Sequence, residues 1–422
     1  MAGDYSRDTF DAARHFSGVL MQQGRVQLDA DWNEQRDLLT HYLRALAADV
    51  IGPHGGPGAG FDIQPATSGE TAIRDFTIGP GHYYVDGVLA ENSEPEAVPF
   101  THQPHHRPAE GALQDGKTYL VYLDVWEQEL TALQDDHILE PALKGADTAA
   151  RLQVVWQVRV VDVDDYDGFD PADPSGFLDR VRPALSSGRL GARAVQPEPS
   201  DGQCDVDADS GYRGPENQLY RVQIHQGGDL GTATFVWSRD NASVALAVTG
   251  VHDHAVTVQS VGPDDRLGVH AGDWVEVVDD DADLEPYVGE LVQVLGIDPV
   301  QRTVSLSGSL PGIDENRHPI LRRWDHGALP VEEDTWLDLE DGVQIRFEPS
   351  GAYYLAGDYW QIPARTATAD VEWPGEPGQP EPRPPRGVEH HVAPLARVLV
   401  AGAEVKLLQT YRYVITPMAR PA

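Results

Sequence analysis

Residues 16–52, FSGVLMQQGRVQLDADWNEQRDLLTHYLRALAADVIG, lead from a glycine-punctuated apolar segment into the one long amphipathic helix that the sequence predicts. Apolar residues recur in it at intervals of seven, four, three and four, which brings them onto one helical face. Two interpretations stay open, because this stripe either packs on the protein's own domain or docks to a partner or to copies of the chain. The stripe consists of Trp32, Leu39, Leu43, Leu46 and Val50.

The ends of this helix are also predicted. Asp31 and Glu34 have the spacing of a capping box, and Asp29 is an alternative N-cap. Both choices bring carboxylates to the positive end of the helix dipole. The dipeptide Gly52-Pro53 is expected to end the helix. The glycine-flanked segment before the helix is more distinctive than the heptad-like part after it, which any helix could share.

Length and composition bound the class of protein. The 422 residues exceed one ordinary domain, and 41 % hydrophobic with 23 % charged residues is typical of globular proteins. The 68 acidic and 31 basic residues give a net charge of −37, which repels phosphate backbones and anionic membranes. We therefore expect no nucleic-acid partner and no membrane insertion.

Cysteine content and the first residues of the chain indicate the cellular compartment in which the protein is expected. The single cysteine, Cys204, excludes an internal disulfide framework. The start MAGDYSRDTF lacks the basic and apolar regions of a secretory signal. We expect a cytoplasmic protein with no signal peptide.

After the helix, the pattern changes to β-structure. Asp86-Gly87 lies between two apolar dipeptides and predicts a β-hairpin. Residues 117–133 and 151–163 read as two neighbouring buried strands, with a short helical excursion between them. Residues 272–311 have the length and rhythm of a small SH3-like barrel.

The sequence therefore predicts a mainly β protein, in which an N-terminal amphipathic helix precedes β-sandwich-like domains and a small SH3-like barrel. The expected divisions are an N-terminal segment with the docking helix (1–59), a β-sandwich-like domain with a helical insertion (60–165), an acidic Gly/Pro-rich connector (166–215), a second β-domain (216–265), the small barrel (266–315) and a C-terminal β-region with a Pro-rich loop (316–422).

Three groups of residues invite a metal interpretation. The strongest resembles a calcium loop, but its glycine, Gly211, is one position later than the template requires. We therefore expect no cofactor, and calcium is only a weak candidate. The other two are a histidine cluster on a Pro-rich loop and an acidic hairpin tip. The calcium candidate comprises Asp205, Asp207, Asp209 and Glu216, the loop carries His102, His105 and His106, and the tip carries Asp279, Asp280, Asp281 and Asp283.

Catalytic motifs do not occur in the sequence. It contains no nucleophile elbow, phosphate loop, dinucleotide fingerprint or HExxH. Asp358, with the neighbouring Tyr359 and Trp360, could build a polar or sugar-binding surface together with His390-His391. We predict a protein that is not an enzyme.

Several long segments resemble an uncharacterised bacterial domain family that accompanies phage-tail-like contractile injection systems and their baseplate or tail components. This resemblance implies a structural or adaptor component that docks to other proteins of such a particle, or to itself, in or with the particle. Two alternatives stay open, a fibre-like module that binds carbohydrate or a cell surface and a particle-associated hydrolase. The segments are YSRDTFDAARHFSGVLMQQGRVQLDADWNEQ (5–35), YLVYLDVWEQELTAL (119–133), GYRGPENQLYRVQIH (211–225), GDYWQIPARTATADVEWP (357–374) and GVEHHVAPLA (387–396).

Overall fold

The computed structural model describes residues 2–66, 74–105, 112–164, 169–182, 186–195, 210–281, 289–348, 351–376 and 378–416. Strands account for 41 % of the chain and helices for 11 %, which confirms the mainly β fold with one N-terminal helix. The α-helices are α1 (Asp29–Ile51) and α2 (Ser175–Val181), and short 3-10 turns lie at Ala12–Arg14, Phe100–His102, Asp136–Ile138 and Pro141–Leu143. No helix in these ranges is long and apolar enough to cross a bilayer.

The strands follow one another in three groups. The first group is β1 (His54–Gly55), β2 (Ile63–Pro65), β3 (Phe76–Ile78), β4 (Gly81–Val85), β5 (Val88–Asn92), β6 (Val98–Pro99), β7 (Thr118–Leu130), β8 (Arg151–Asp162) and β9 (Arg189–Ala194). The second is β10 (Gln218–Gln226), β11 (Thr234–Ser238), β12 (Ala245–His252), β13 (Ala255–Val258), β14 (Trp274–Val278), β15 (Leu291–Asp298), β16 (Thr303–Leu306) and β17 (Ile320–Trp324). The third is β18 (Leu329–Pro330), β19 (Leu337–Asp338), β20 (Val343–Glu348), β21 (Tyr359–Arg365), β22 (Asp370–Val371), β23 (Gly375–Glu376), β24 (Gln379–Pro380), β25 (His391–Ala401) and β26 (Glu404–Thr410).

The start of α1 corrects the predicted caps. The N-cap is the leucine before Asp29, and it makes no side-chain capping bond. The Asp29 carboxylate accepts from the Ser6 amide at 2.8 Å and the Ser6 hydroxyl at 2.7 Å, and Glu34 accepts from the Thr9 hydroxyl at 2.6 Å. The predicted capping box at Asp31 and Glu34 is therefore wrong, and so is the alternative N-cap at Asp29, because Asp29 and Glu34 hold the N-terminal segment instead.

A first β body contains the predicted neighbouring strands. β7 and β8 pair antiparallel from Tyr119 opposite Asp162 to Leu130 opposite Arg151. The sheet has the order β26-β25-β7-β8, so the C-terminal strands return to the body that follows the helix. Two three-stranded sheets, β1-β4-β5 and β2-β3-β6, complete its core. The hairpin at Asp86-Gly87 joins β4 and β5 as predicted, with positive φ at both residues.

The barrel is closed and six-stranded, with the order β12-β13-β16-β15-β14-β17. It confirms the predicted small barrel but begins at Ala245 instead of residue 266. Strands β12, β13 and β17, which were expected in the flanking regions, are part of it. Closure requires them, because a closed sheet leaves no strand edge unpaired.

A third body is formed by the sheets β18-β11-β10-β21-β22 and β19-β20-β9 around an aromatic-rich core. The segment 166–215 was expected to be a connector, yet its described part contains α2 and β9. β9 pairs along its whole length with β20, from Arg189 opposite Glu348 to Ala194 opposite Val343. The buried alternate residues of β9 explain this, since they complete the apolar core.

Candidate docking surface

The stripe on α1 faces solvent. The buried residues of the helix are Ala30 and Leu38, which lie outside the stripe. The five stripe side chains remain between 49 % and 75 % exposed. The first interpretation of the sequence, that the stripe packs on the protein's own domain, is therefore wrong for the chain by itself.

Residues 11–28 form an arm that leads into α1 and carries further exposed apolar residues. Apart from one 3-10 turn it contains no regular secondary structure. Its tip is the turn at Gln22, where the Arg25 amide donates to the Gln22 carbonyl at 3.3 Å. Gly24 in this turn has a φ of +71°. The Val19 amide donates to the Gln35 side chain of α1 at 2.7 Å and fixes the arm beside the helix.

The arm and α1 both expose large apolar side chains, and these are here together called the N-terminal surface. Leu20 at 89 % and Val26 at 82 % exposure are among the most exposed large apolar residues of the described chain. Exposed apolar patches of several hundred Å² mark interaction sites. The members are Phe16, Leu20, Met21, Val26 and Leu28 of the arm and Trp32, Leu39, Tyr42, Leu43, Leu46 and Val50 of α1.

The first ten residues anchor the base of the arm to the β bodies. The Ala2 amide and the Tyr5 hydroxyl both donate to Glu129 of β7. Burial and the neighbouring Glu129 carboxylate raise the pKa of Tyr5, so its hydroxyl keeps its proton and acts as a donor. Asn241 donates to the Gly3 carbonyl at 2.8 Å and thereby links the same segment to the loop before the barrel.

Further along, two ion pairs and α1 hold the same segment. Arg7 pairs with Glu372 at 2.8 Å, and Arg386 pairs with Asp8. Burial alone would raise the pKa of Asp29, but the hydrogen bonds from Ser6 hold it below its usual value. The base of the arm is therefore fixed to a rigid scaffold on both sides.

A groove lies between α1 and the β4–β5 hairpin. The helix approaches the hairpin so closely that a Cβ at Gly87 would lie 2.2 Å from the Arg44 carbonyl oxygen. The Arg44 guanidinium also pairs with Glu127 of β7 at 2.8 Å. The groove has a volume of about 450 Å³ and an apolar lining that includes Leu43, Leu46, Val50, Tyr84 and Leu89. The second half of the stripe is thus one wall of an open apolar groove.

The proposed aromatic binding pair is not on the surface. Trp360 is 2 % exposed, and its indole Nε1 donates to the Arg383 carbonyl at 2.9 Å. Tyr359 is also buried, with the Arg221 guanidinium 3.6 Å from its ring centroid. The expectation that both residues bind a ligand at the surface is therefore wrong. The alternation along β21 turns Trp360 toward the aromatic core.

The polar residues near that pair lie in separate contacts. His390 Nδ1 lies 2.8 Å from Asp124, and His391 Nδ1 lies 3.2 Å from Asp86, both in the first β body. Asp358 belongs to the third body, where burial raises its pKa to about 7. These groups do not share the joint polar site that the sequence suggested.

The calcium candidate is represented by its last residue alone, because Asp205, Asp207 and Asp209 lie outside the described residues. Glu216 forms an ion pair with Arg266 at 2.5 Å. Its carboxylate therefore contributes to the contact between the third body and the barrel.

At the acidic hairpin tip, the described carboxylates have partners within the chain. Asp280 contacts His318 at 2.8 Å, Asp281 pairs with Arg317 at 2.7 Å, and Asp279 accepts from a backbone amide. Burial lowers the pKa of His105, which disfavours its charged form. Asp283 and His106 lie outside the described residues.

The sequence pattern predicted the stripe on α1 but not the other residues of the N-terminal surface. Leu20, Val26 and the groove residues Tyr84 and Leu89 were not singled out, although they complete it. One signal was available, since residues 12–28 contain no acidic residue in a chain with a net charge of −37.

These features define a mainly β protein whose N-terminal arm and helix present an apolar surface to solvent. The chain belongs to the family of unknown function DUF6519, whose model matches residues 1–169 and 177–408. Comparison with curated proteins and with solved structures gave no match.

Proposed function

We propose that the chain is a non-enzymatic structural component that docks to other proteins through its N-terminal surface. The observation that carries the proposal is the exposure of the whole stripe on α1 beside an equally exposed apolar arm. The resemblance of the long sequence segments to a family that accompanies contractile injection systems supports a phage-tail-like particle as the assembly.

Leaving the N-terminal surface in water is unfavourable in free energy. Burying one large apolar side chain contributes about 1.5–3 kcal/mol relative to leaving it exposed. The N-terminal surface has eleven such side chains, so even partial burial offsets the loss of translational and side-chain freedom on association. The anchored base of the arm lowers that loss further, because the scaffold is already ordered.

The alternatives are less well supported. A carbohydrate-binding module was expected to use Tyr359 and Trp360, and both are buried. A particle-associated hydrolase would need a polar cleft, whereas the groove beside α1 has an apolar lining. We therefore propose neither.

The test replaces Leu39→Asp and Leu43→Asp together in the producing cells. Both side chains are more than half exposed, so the purified variant is expected to fold. Charged groups in a desolvated interface are unfavourable, and the variant should be lost from purified particles. The measurement is the amount of chain in particles by quantitative mass spectrometry.

A matched control replaces Leu295→Asp and Val300→Asp, which are exposed apolar residues of the barrel. This control should enter particles like the natural chain. Normal incorporation of the stripe variant, or absence of the natural chain from every particle preparation, contradicts the proposal.

A further inference from the structure

The arm differs in charge from the rest of the chain. Residues 11–28 carry Arg14, Arg25 and one acidic residue, Asp11, a net charge of +1, against −38 for the rest of the chain. Arg14 lies over the Phe16 ring at 4.6 Å. Within the described residues, neither arginine has a carboxylate partner. The arm therefore offers apolar side chains together with uncompensated positive charge.

The backbone of the arm forms few hydrogen bonds besides that from the Val19 amide to Gln35. Among the described residues, the turn bond from Arg25 to Gln22 is the one backbone–backbone hydrogen bond that residues 16–27 form. An open backbone with exposed apolar side chains is a template for association with another chain.

The groove has the complementary character. Its lining is apolar. Glu91 on β5 lines the adjoining groove and forms no ion pair within the described chain, while Arg44, which lines the same groove, already pairs with Glu127. The arm of the same chain leaves the groove open, because Gln35 holds Val19 beside the first half of α1 and the groove lies at its second half.

We propose that the arm of one copy occupies the groove of a second copy, so that copies of the chain associate head to tail. Leu20 and Val26 would enter the apolar groove, and Arg25 would approach the carboxylate of Glu91. This inference rests on the proposed docking function and names its first partner. Because arm and groove are different surfaces, the contact repeats from copy to copy and gives a ring or a filament.

The competing arrangement, stripe against stripe, is disfavoured by charge. The helix Asp29–Ile51 has five acidic and two basic residues, a net charge of −3. Two such helices side by side repel each other, whereas an arm of charge +1 is attracted.

Dimension also favours the arm. The groove follows α1 from Leu43 to Ile51, about 12 Å at a rise of about 1.5 Å per residue. An extended segment of about four residues has the same length, and the arm has such a segment on each side of its turn.

The test uses two variants of the full chain. The first, Leu20→Asp with Val26→Asp, disables the arm and leaves the groove. The second, Leu46→Asp with Val50→Asp, disables the groove and leaves the arm. All four side chains are exposed or half-exposed, so both variants should fold, which circular dichroism checks. Light scattering over a range of protein concentrations then gives the mass.

The natural chain should form oligomers at low salt, and each variant alone should be monomeric. An equimolar mixture of the two should give a heterodimer, with a doubling of mass, because one intact arm meets one intact groove. If copies associated stripe to stripe, mixing the two variants would not give this heterodimer. A mixture without a heterodimer would therefore overturn the inference.

Cross-linking gives an independent readout in a Cys204→Ser background. Leu20→Cys on one copy and Leu46→Cys on another should form an intermolecular disulfide, whereas Leu39→Cys with itself should not. A natural chain that is monomeric at every concentration overturns arm exchange but leaves incorporation into particles as a separate measurement. The two proposals therefore fail on different results.

Discussion

The barrel and α1 use the same apolar residue types in opposite ways. In the barrel, Val275 and Leu321 are fully buried, and closure gives each strand two hydrogen-bonded neighbours. In α1 the backbone satisfies its own hydrogen bonds, so the helix persists without burying its stripe. Regular secondary structure and burial of apolar surface are therefore separate requirements for a stable, fully packed element. The N-terminal region meets only the first of them by itself.

Two tryptophans make this contrast measurable. Trp324 on β17 is 1 % exposed and packs with Val236 and Ala242 between barrel and neighbouring sheet. Trp324→Ala should lower the free energy of unfolding by about 3–5 kcal/mol through lost burial and a cavity. Urea unfolding followed by circular dichroism measures it. A loss of under about 1 kcal/mol would show that this part of the barrel is not packed as described.

The attachment of α1 depends on a glycine, and Gly87→Ala is expected to have the next largest effect. A Cβ there would lie 2.2 Å from the Arg44 carbonyl oxygen, and φ is +81°. We expect a loss of about 1–3 kcal/mol, with faster hydrogen exchange in the second half of α1.

Gly116→Ala is the control, since Gly116 has a φ of +79° and open space at its Cβ position. It should show the backbone strain without the change in α1. Equal exchange rates for α1 in both variants would mean that the helix does not depend on this contact.

Asp358→Asn tests the stability of the β bodies by themselves, because its effect on Tm should depend on pH and does not involve the N-terminal surface. Burial raises the pKa of Asp358 to about 7, well above the ordinary value of an aspartate. A folded pKa above the unfolded one means that stability is fully present below about pH 4 and is lost as the pH rises toward about 7. Asn does not ionise, so the variant should gain Tm relative to the natural chain at about pH 8 and not at about pH 4.

Asp264→Asn is the opposite case, since backbone hydrogen bonds from Leu267 and Arg266 lower the pKa of the exposed Asp264. The stability contribution of Asp264 is present above its unfolded pKa and is lost as the pH falls. Asp264→Asn should therefore give no gain at about pH 8. The same Tm gain for both variants there would exclude burial of Asp358 as the cause.

Local chemistry explains what the sequence predicted correctly. Asp86-Gly87 predicts its hairpin because both residues accept positive φ, a property of the dipeptide itself. The pairing of β25 with β7 was not predictable in this way. His391 lies opposite Val125, far away in sequence, and many β segments of this chain have similar alternation.

The candidate site shows the same limit. The spacing of the stripe predicted one helical face, but not whether protein or water covers it, because both cases need the same spacing. Asp31 and Glu34 have the pattern of a cap, yet Glu34 holds Thr9, a contact that depends on the path of the N-terminal segment. The core position of Trp360 was not predictable from the sequence, because its partner in the core, Phe347, lies on another strand.

The smallest effect on stability is expected for Trp32→Ala, the counterpart of Trp324→Ala. Trp32 is 75 % exposed, and alanine is the best helix former, so the free energy of unfolding should change by at most about 0.5 kcal/mol. The same substitution should reduce incorporation into particles, because an exposed tryptophan is the residue type that dominates interfaces. Urea unfolding and mass spectrometry of particles measure the two effects. A large loss of stability would mean that Trp32 contributes to the fold of the isolated chain. The contrast between α1 and the barrel would then not hold, because Trp32 is the most exposed residue of the stripe.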